Sequence, residues 1–78
     1  ILKQIEDAEN YLHDLGFRNF RVRNHGSVAR IELDESDFKT ILNKKLRFGI
    51  DEKFKKLGFK FVSLDLKSFE SGSLNSEI

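Results

Sequence analysis

The sequence predicts a small α+β domain with element order α-β-β-α-β. Three observations carry that prediction. An apolar stripe at steps of three and four opens the chain. Two alternating runs follow, joined by a short Gly-containing link. A second helical region then leads into a third alternating run.

The first helix is expected over residues 2–15. Leu2, Ile5, Ala8, Leu12 and Leu15 form one stripe, with Glu6, Asp7, Glu9 and Asp14 on the other faces. Gly16 follows where a left-handed C-terminal cap belongs. Residues 17–24 alternate as a strand, with Phe20 and Val22 on one face and Arg21 and Arg23 on the other. His25-Gly26-Ser27 signals a turn, and residues 28–33 alternate again, so the two runs form a hairpin. Acidic residues and Ser36 open the next helical region, as the helix dipole and unpaired amides favour. A break is expected near Asn43 or Gly49, and Gly58 supplies another cap. The third strand covers residues 60–66, with Val62, Leu64 and Leu66 inward and Phe61, Ser63 and Asp65 outward. Strand directions predict a three-stranded, mainly antiparallel sheet with the first strand central and helices on one face. The tail, residues 67–78, is rich in Ser and Gly and reads as irregular.

A repeat links the two caps. Leu15-Gly16-Phe17-Arg18 recurs as Leu57-Gly58-Phe59-Lys60, either as a common helix stop used twice or as a duplicated α-β unit. Phe17, Phe20, Phe38, Phe54 and Phe59 fall at core-like positions.

Composition narrows the function classes. The 78 residues suit one small domain, able to cover one sheet face but not to build a deep cleft of its own. Lys+Arg of 14 against Asp+Glu of 13 argues against a basic nucleic-acid arm or an acidic tail. With no Cys, the chain supplies no disulfide, thiolate nucleophile or thiolate metal site. No apolar run is long enough for a membrane helix, and no signal peptide is read. Met is absent and the chain begins with Ile1, so a trimmed chain or a piece of a longer protein is expected.

The chemistry-bearing residues gather on the polar sheet face. Arg21, Arg23 and Arg30 would present guanidinium forks there, matched to phosphate or carboxylate. The competing reading is cross-strand pairing of these arginines with Glu32 on a wet surface. Phe61 on the same face weakly resembles an RNA-stacking platform, without an accompanying motif. His25 reads as a turn residue and His13 as surface. Glu9 lies beside the apolar stripe, and spacing alone gives no reason for it to meet Glu32. Ser71-Gly72-Ser73 has neither the Lys nor the following helix of a phosphate loop.

Several stretches, taken in series, resemble the C-terminal domain of the LarE-like family of PP-loop ATP pyrophosphatases. They are Ala8-Glu9, Leu15-Gly16-Phe17, Arg21-Val22-Arg23-Asn24-His25-Gly26, Ala29-Arg30-Ile31-Glu32, Leu57-Gly58-Phe59, Leu64-Asp65-Leu66 and Ser71-Gly72-Ser73-Leu74-Asn75. The family acts as sacrificial sulfur transferases that mature the nickel-pincer cofactor of lactate racemase. The resemblance implies that residues 1–78 are a C-terminal domain of a larger cytoplasmic enzyme. ATP and Mg would be bound by an N-terminal domain that this chain lacks, so the chain alone is not expected to catalyse. It further implies a homo-oligomer and a nickel-pincer precursor as substrate. On this basis Arg21 and Arg23 would hold anionic groups, with Arg30 beside them on the same sheet face, and Glu9 and Glu32 would bind a divalent metal. Phe69-Glu70 stands where the family commonly has Tyr-Arg, which weakens any anion contact from the tail. The alternative is a stand-alone nucleic-acid or protein-binding adaptor with a ferredoxin-like sheet; near-neutral charge weighs against nucleic acid.

Overall fold

The computed structural model describes residues 1–69. Its elements are α1 (Leu2–Asp14), β1 (Phe20–His25), β2 (Val28–Leu33), a single 3-10 turn (Glu35–Asp37), α2 (Phe38–Ile41), α3 (Lys44–Lys56) and β3 (Phe61–Leu64). The predicted α+β class and element order hold. The Ser-Gly-Ser-Leu-Asn stretch and Glu70 lie outside the described residues.

The helical region breaks at Asn43, not at Gly49. Asn43 Oδ1 accepts from Leu46 N–H at 3.1 Å and caps α3, while its backbone N–H donates to Thr40 O at 3.2 Å and closes α2. Upstream, Asp34 caps the short turn by accepting from the Ser36 amide and hydroxyl. Those two bonds hold the Asp34 carboxyl below its ordinary range.

The two Leu-Gly-Phe segments fold alike. Gly16 and Gly58 take φ of 109° and 113°, open to glycine and strained for any other residue. Each Gly N–H donates three residues back, to His13 and Lys55, at 3.0 Å. Each following Phe N–H donates five residues back, to Leu12 and Phe54, at 3.2 Å. The paired bonds close both helix ends and turn Phe17 and Phe59 into the core.

Strand order differs from expectation. The sheet runs β1-β2-β3, with β2 central. β1 and β2 are antiparallel, with Arg21 opposite Glu32 and Arg23 opposite Arg30; β2 and β3 are parallel, with Arg30 opposite Ser63. A short helical crossover returns β3 beside β2, the strand it left, as βαβ connections favour. The outer edge of β1 is also taken, because Val22 N–H there donates to Glu9 Oε2 of α1 at 2.9 Å.

α1 and α3 cover the inner sheet face. The core unites Ala8, Leu12, Val22, Ala29, Ile31, Leu33, Ile41, Ile50 and Phe54 with the two capping phenylalanines. Phe20 and Phe38 pack against it half-buried. Leu66, predicted inward, is 87 % exposed. β3 ends at Leu64, and Asp65 Oδ1 accepts from Lys67 N–H at 3.0 Å, so a local turn replaces further strand.

Candidate functional site

The outer sheet face carries the charged residues that the alternation assigns to it. β1 contributes Arg21, Arg23 and His25, β2 contributes Arg30 and Glu32, and Phe61, Ser63 and Asp65 follow along the third row. Gly26, at φ 65°, makes the turn that sets this register.

Register creates an electrostatic problem. Arg23 and Arg30 stand directly opposite each other, and like charges so placed repel. Glu32 resolves it. Its Oε1 lies 3.2 Å from Arg23 Nε, and its Oε2 lies 2.9 Å from Arg30 Nη2. The Glu32 side chain is 14 % exposed, against 46 % for Arg23 and 37 % for Arg30. The carboxylate therefore sits deeper than the guanidiniums, and it aims both of them from below.

Two further contacts shape the cluster. Asp65 Oδ2 lies 3.8 Å from Arg30 Nε, a nitrogen that is buried and has no hydrogen-bond partner among the described residues. The Arg21 guanidinium carbon lies 5.7 Å from the Phe69 ring centroid. Phe69 is placed by its own N–H, which donates to Leu33 O at 2.7 Å. Among the described residues, Arg21 has no carboxylate partner.

Among the described residues, the face therefore holds three guanidiniums and two carboxylates within one layer. Planar N–H forks held this way match phosphate, carboxylate or thiocarboxylate oxygens. The structure brings Arg21, Arg23, Arg30 and Glu32 together. It does not bring Glu9 to them, since Glu9 serves the Val22 amide at the β1 edge. A divalent ion on these two glutamates would have to displace the amide at one and the guanidiniums at the other. Among the described residues, no group of three or more His, Asp or Glu side chains is arranged to hold a metal. His25 is exposed beside its turn and His13 lies exposed on α1. The stacking partner Phe69 escaped the sequence reading, because only the tertiary path after β3 brings it over Arg21.

No protein-family model matches the chain. Curated relatives do. Over 77 residues, 99 % of the chain, it is 40 % identical to the pyridinium-3,5-bisthiocarboxylic acid mononucleotide synthase of Lactiplantibacillus plantarum. The chain resembles one part of that LarE synthase. It covers 27 % of the synthase's length. Two uncharacterized proteins match in the same way. One, from Synechocystis, is 35 % identical over 95 % of the chain, and one, from Methanocaldococcus jannaschii, is 39 % identical over 90 %. The chain thus spans about a quarter of the length of each of these relatives. The arginine cluster lies within the stretch that LarE shares.

Proposed function

We propose that the chain acts as the C-terminal domain of an ATP-dependent PP-loop sulfur transferase, and that its arginine face holds an anionic group of the substrate. One observation carries the reading: Arg21, Arg23 and Arg30 share a rigid sheet face on which Glu32 aims two of them. The identity with LarE supports it. That relative's name describes a pyridinium bearing two thiocarboxylic acids and a mononucleotide, and both kinds of group are anionic.

In this reading the chain binds and orients. ATP and Mg, and the carboxylate activation they drive, belong to an N-terminal domain outside these residues. Arg21, Arg23 and Arg30 fix a phosphate or (thio)carboxylate of the nickel-pincer precursor, lowering the entropy cost of bringing it to the sulfur donor. Assembly into an oligomer would complete the site.

The test uses both forms of the protein. In the full-length parent, Arg21→Ala and Arg23→Ala should each lower sulfur transfer by about 10²-fold, with the melting temperature nearly unchanged. In the 78-residue chain, inorganic phosphate should shift the NMR side-chain resonances of Arg21, Arg23 and Arg30. Full activity in both variants, or no arginine shift at millimolar phosphate, would overturn the proposal and leave the cluster a structural ion-pair network.

A further inference from the structure

β3 is an edge strand, and half of its backbone groups point away from the sheet. Phe61 N–H donates to Ser27 O at 3.2 Å, and Asp65 N–H donates to Ile31 O at 2.8 Å, so the odd-numbered residues face β2. In a parallel ladder a residue's N–H and C=O point the same way, which turns those of Val62 and Leu64 outward. No strand pairs with that edge among the described residues. Exposed edges are sites of strand addition unless something blunts them; β3 is short, at four residues, but carries no inward charge, bulge or proline.

A groove lies along the same edge. It is lined by Leu42, Arg47, Ile50, Asp51 and Leu64, and the core residue Ile31 forms part of its floor. α1 sits toward the outer edge of β1, where Glu9 reaches the outward Val22 amide. α3 packs along β3 and meets α1 at Tyr11, where a methyl group at Gly49 would lie 3.6 Å from the Tyr11 hydroxyl. Val62 and Leu64 are nonetheless only half-buried, and Leu42 and Phe61 are exposed.

We propose that this edge pairs antiparallel with β3 of a second copy of the chain, about a two-fold axis through Ser63. The register is self-complementary. Centred on Ser63, it sets Val62 opposite Leu64 of the second copy and Leu64 opposite its Val62. These are the two residues whose outward N–H and C=O need partners, and the pairing satisfies all of them. Their side chains extend the apolar inner face across the junction. Charge agrees with this pairing. The two-fold places the two α3 helices antiparallel on the same side of a six-stranded sheet. Arg47 and Asp51, which line the groove one helical turn apart, then meet Asp51 and Arg47 of the other copy. Among the described residues, Asp51 pairs with Lys55 of its own helix, at 3.0 Å. The inference does not depend on the sulfur-transferase reading.

Sedimentation of the 78-residue chain tests it, with hydrogen exchange as a second readout. At high concentration the mass should rise to twice the 9.1 kDa of one chain. Ser63→Glu places two carboxylates face to face at the axis while giving Arg30, its neighbour on β2, a partner. That variant should stay folded and monomeric. Arg47→Asp should weaken association about tenfold, and Arg47→Asp/Asp51→Arg should restore it. This exposed helix pair keeps the test open even if Ser63→Glu does not fold. The Val62 and Leu64 amides should be protected in the dimer and exchange in the Ser63→Glu monomer. Three results would each overturn the proposal. They are a monomer at every concentration, a dimer indifferent to all these substitutions, and a monomer whose Val62 and Leu64 amides are already protected, meaning that the chain covers its own edge.

Discussion

Replacing Glu32 with Gln tests whether a carboxylate is what permits two arginines to face each other. The change keeps size and hydrogen-bonding capacity but removes the charge. Two charge-assisted contacts, at 3.2 and 2.9 Å, become weaker neutral ones. Arg23 and Arg30 remain opposed with their mutual repulsion uncompensated. Ion pairs this exposed contribute up to about 1 kcal/mol each, and an opposed like-charge pair costs a few tenths more. The expected loss is therefore about 1–2 kcal/mol. For a domain of this size that lowers the melting temperature by about 5–15 °C. Salt supplies the control. Raising ionic strength from about 0.1 to 1 M cuts the screening length from about 10 to 3 Å, so the gap between variant and wild type should narrow. Phosphate should narrow it further at constant ionic strength, because without the Glu32 charge the variant's folded state binds the anion more tightly, and binding to the folded state stabilises that state. Thermal melts followed by circular dichroism read all three effects. If Glu32→Gln melts with the wild type at low salt, the carboxylate does not organise the cluster, and the account of the outer face fails.

Other substitutions separate the remaining claims. Glu9→Gln keeps an acceptor for Val22 N–H and should hold stability within a few tenths of a kcal/mol, whereas Glu9→Ala should lose about 1 kcal/mol. Loss of sulfur transfer in the Gln variant of the parent, at unchanged melting temperature, would give Glu9 a functional role beside its structural one. Gly16→Ala should cost about 1–2 kcal/mol from positive φ alone. Gly58→Ala should cost more, because the new methyl group meets Gln4 Nε2 at 2.8 Å and displaces it from Leu57 O, to which it donates at 3.0 Å; equal losses in urea unfolding would refute the steric part. Phe54→Ala, at the centre of the core, should cost about 3–5 kcal/mol and leave the chain marginally folded. Asp34 supplies the pH test. Its carboxyl is depressed in the folded state, so its stabilising effect is present above the unfolded carboxylate range and is lost as pH falls through the lower folded value. Wild type should therefore exceed Asp34→Ala in stability at neutral pH, with the difference vanishing in acid melts.

The hairpin was legible because alternation has a period of two and a Gly turn fixed the register. That alone placed Arg21, Arg23, Arg30 and Glu32 on one face. The helix ends were legible because Gly16 and Gly58 each adopt a backbone conformation that other residues resist. Strand order was not legible. Direction alone allows β3 to lie beside either hairpin strand, and a tertiary contact, Glu9 on the outer amide of Val22, occupies the β1 edge. The same contact explains why the Glu9–Glu32 pairing implied by the family resemblance could not be read from spacing: Glu9 faces a strand edge, and Glu32 faces the layer of arginines. Leu66 misled because its alternation continues past the point where the Asp65 side chain turns the backbone. Phe69 could not be placed over Arg21, because no local pattern records how the chain returns across Leu33.

The outer face joins stability to binding. A sheet that only needed solvation would not set Arg23 against Arg30, since either could be exchanged for a neutral residue with less repulsion. Glu32 offsets the repulsion, but it is one carboxylate between two guanidiniums, and Asp65 stands too far from Arg30 Nε for a hydrogen bond. Arg21, beside them, leans on an aromatic ring instead of a carboxylate. Among the described residues, two carboxylates against three guanidiniums leave one positive charge on a layer whose hydrogen-bond donors are already oriented. An anion docking there gains directed N–H groups without reorganising the sheet, and it takes up the charge that Glu32 and Asp65 leave uncompensated. The same pairing that offsets the repulsion between Arg23 and Arg30 therefore sets the sign and shape of the ligand the face can accept.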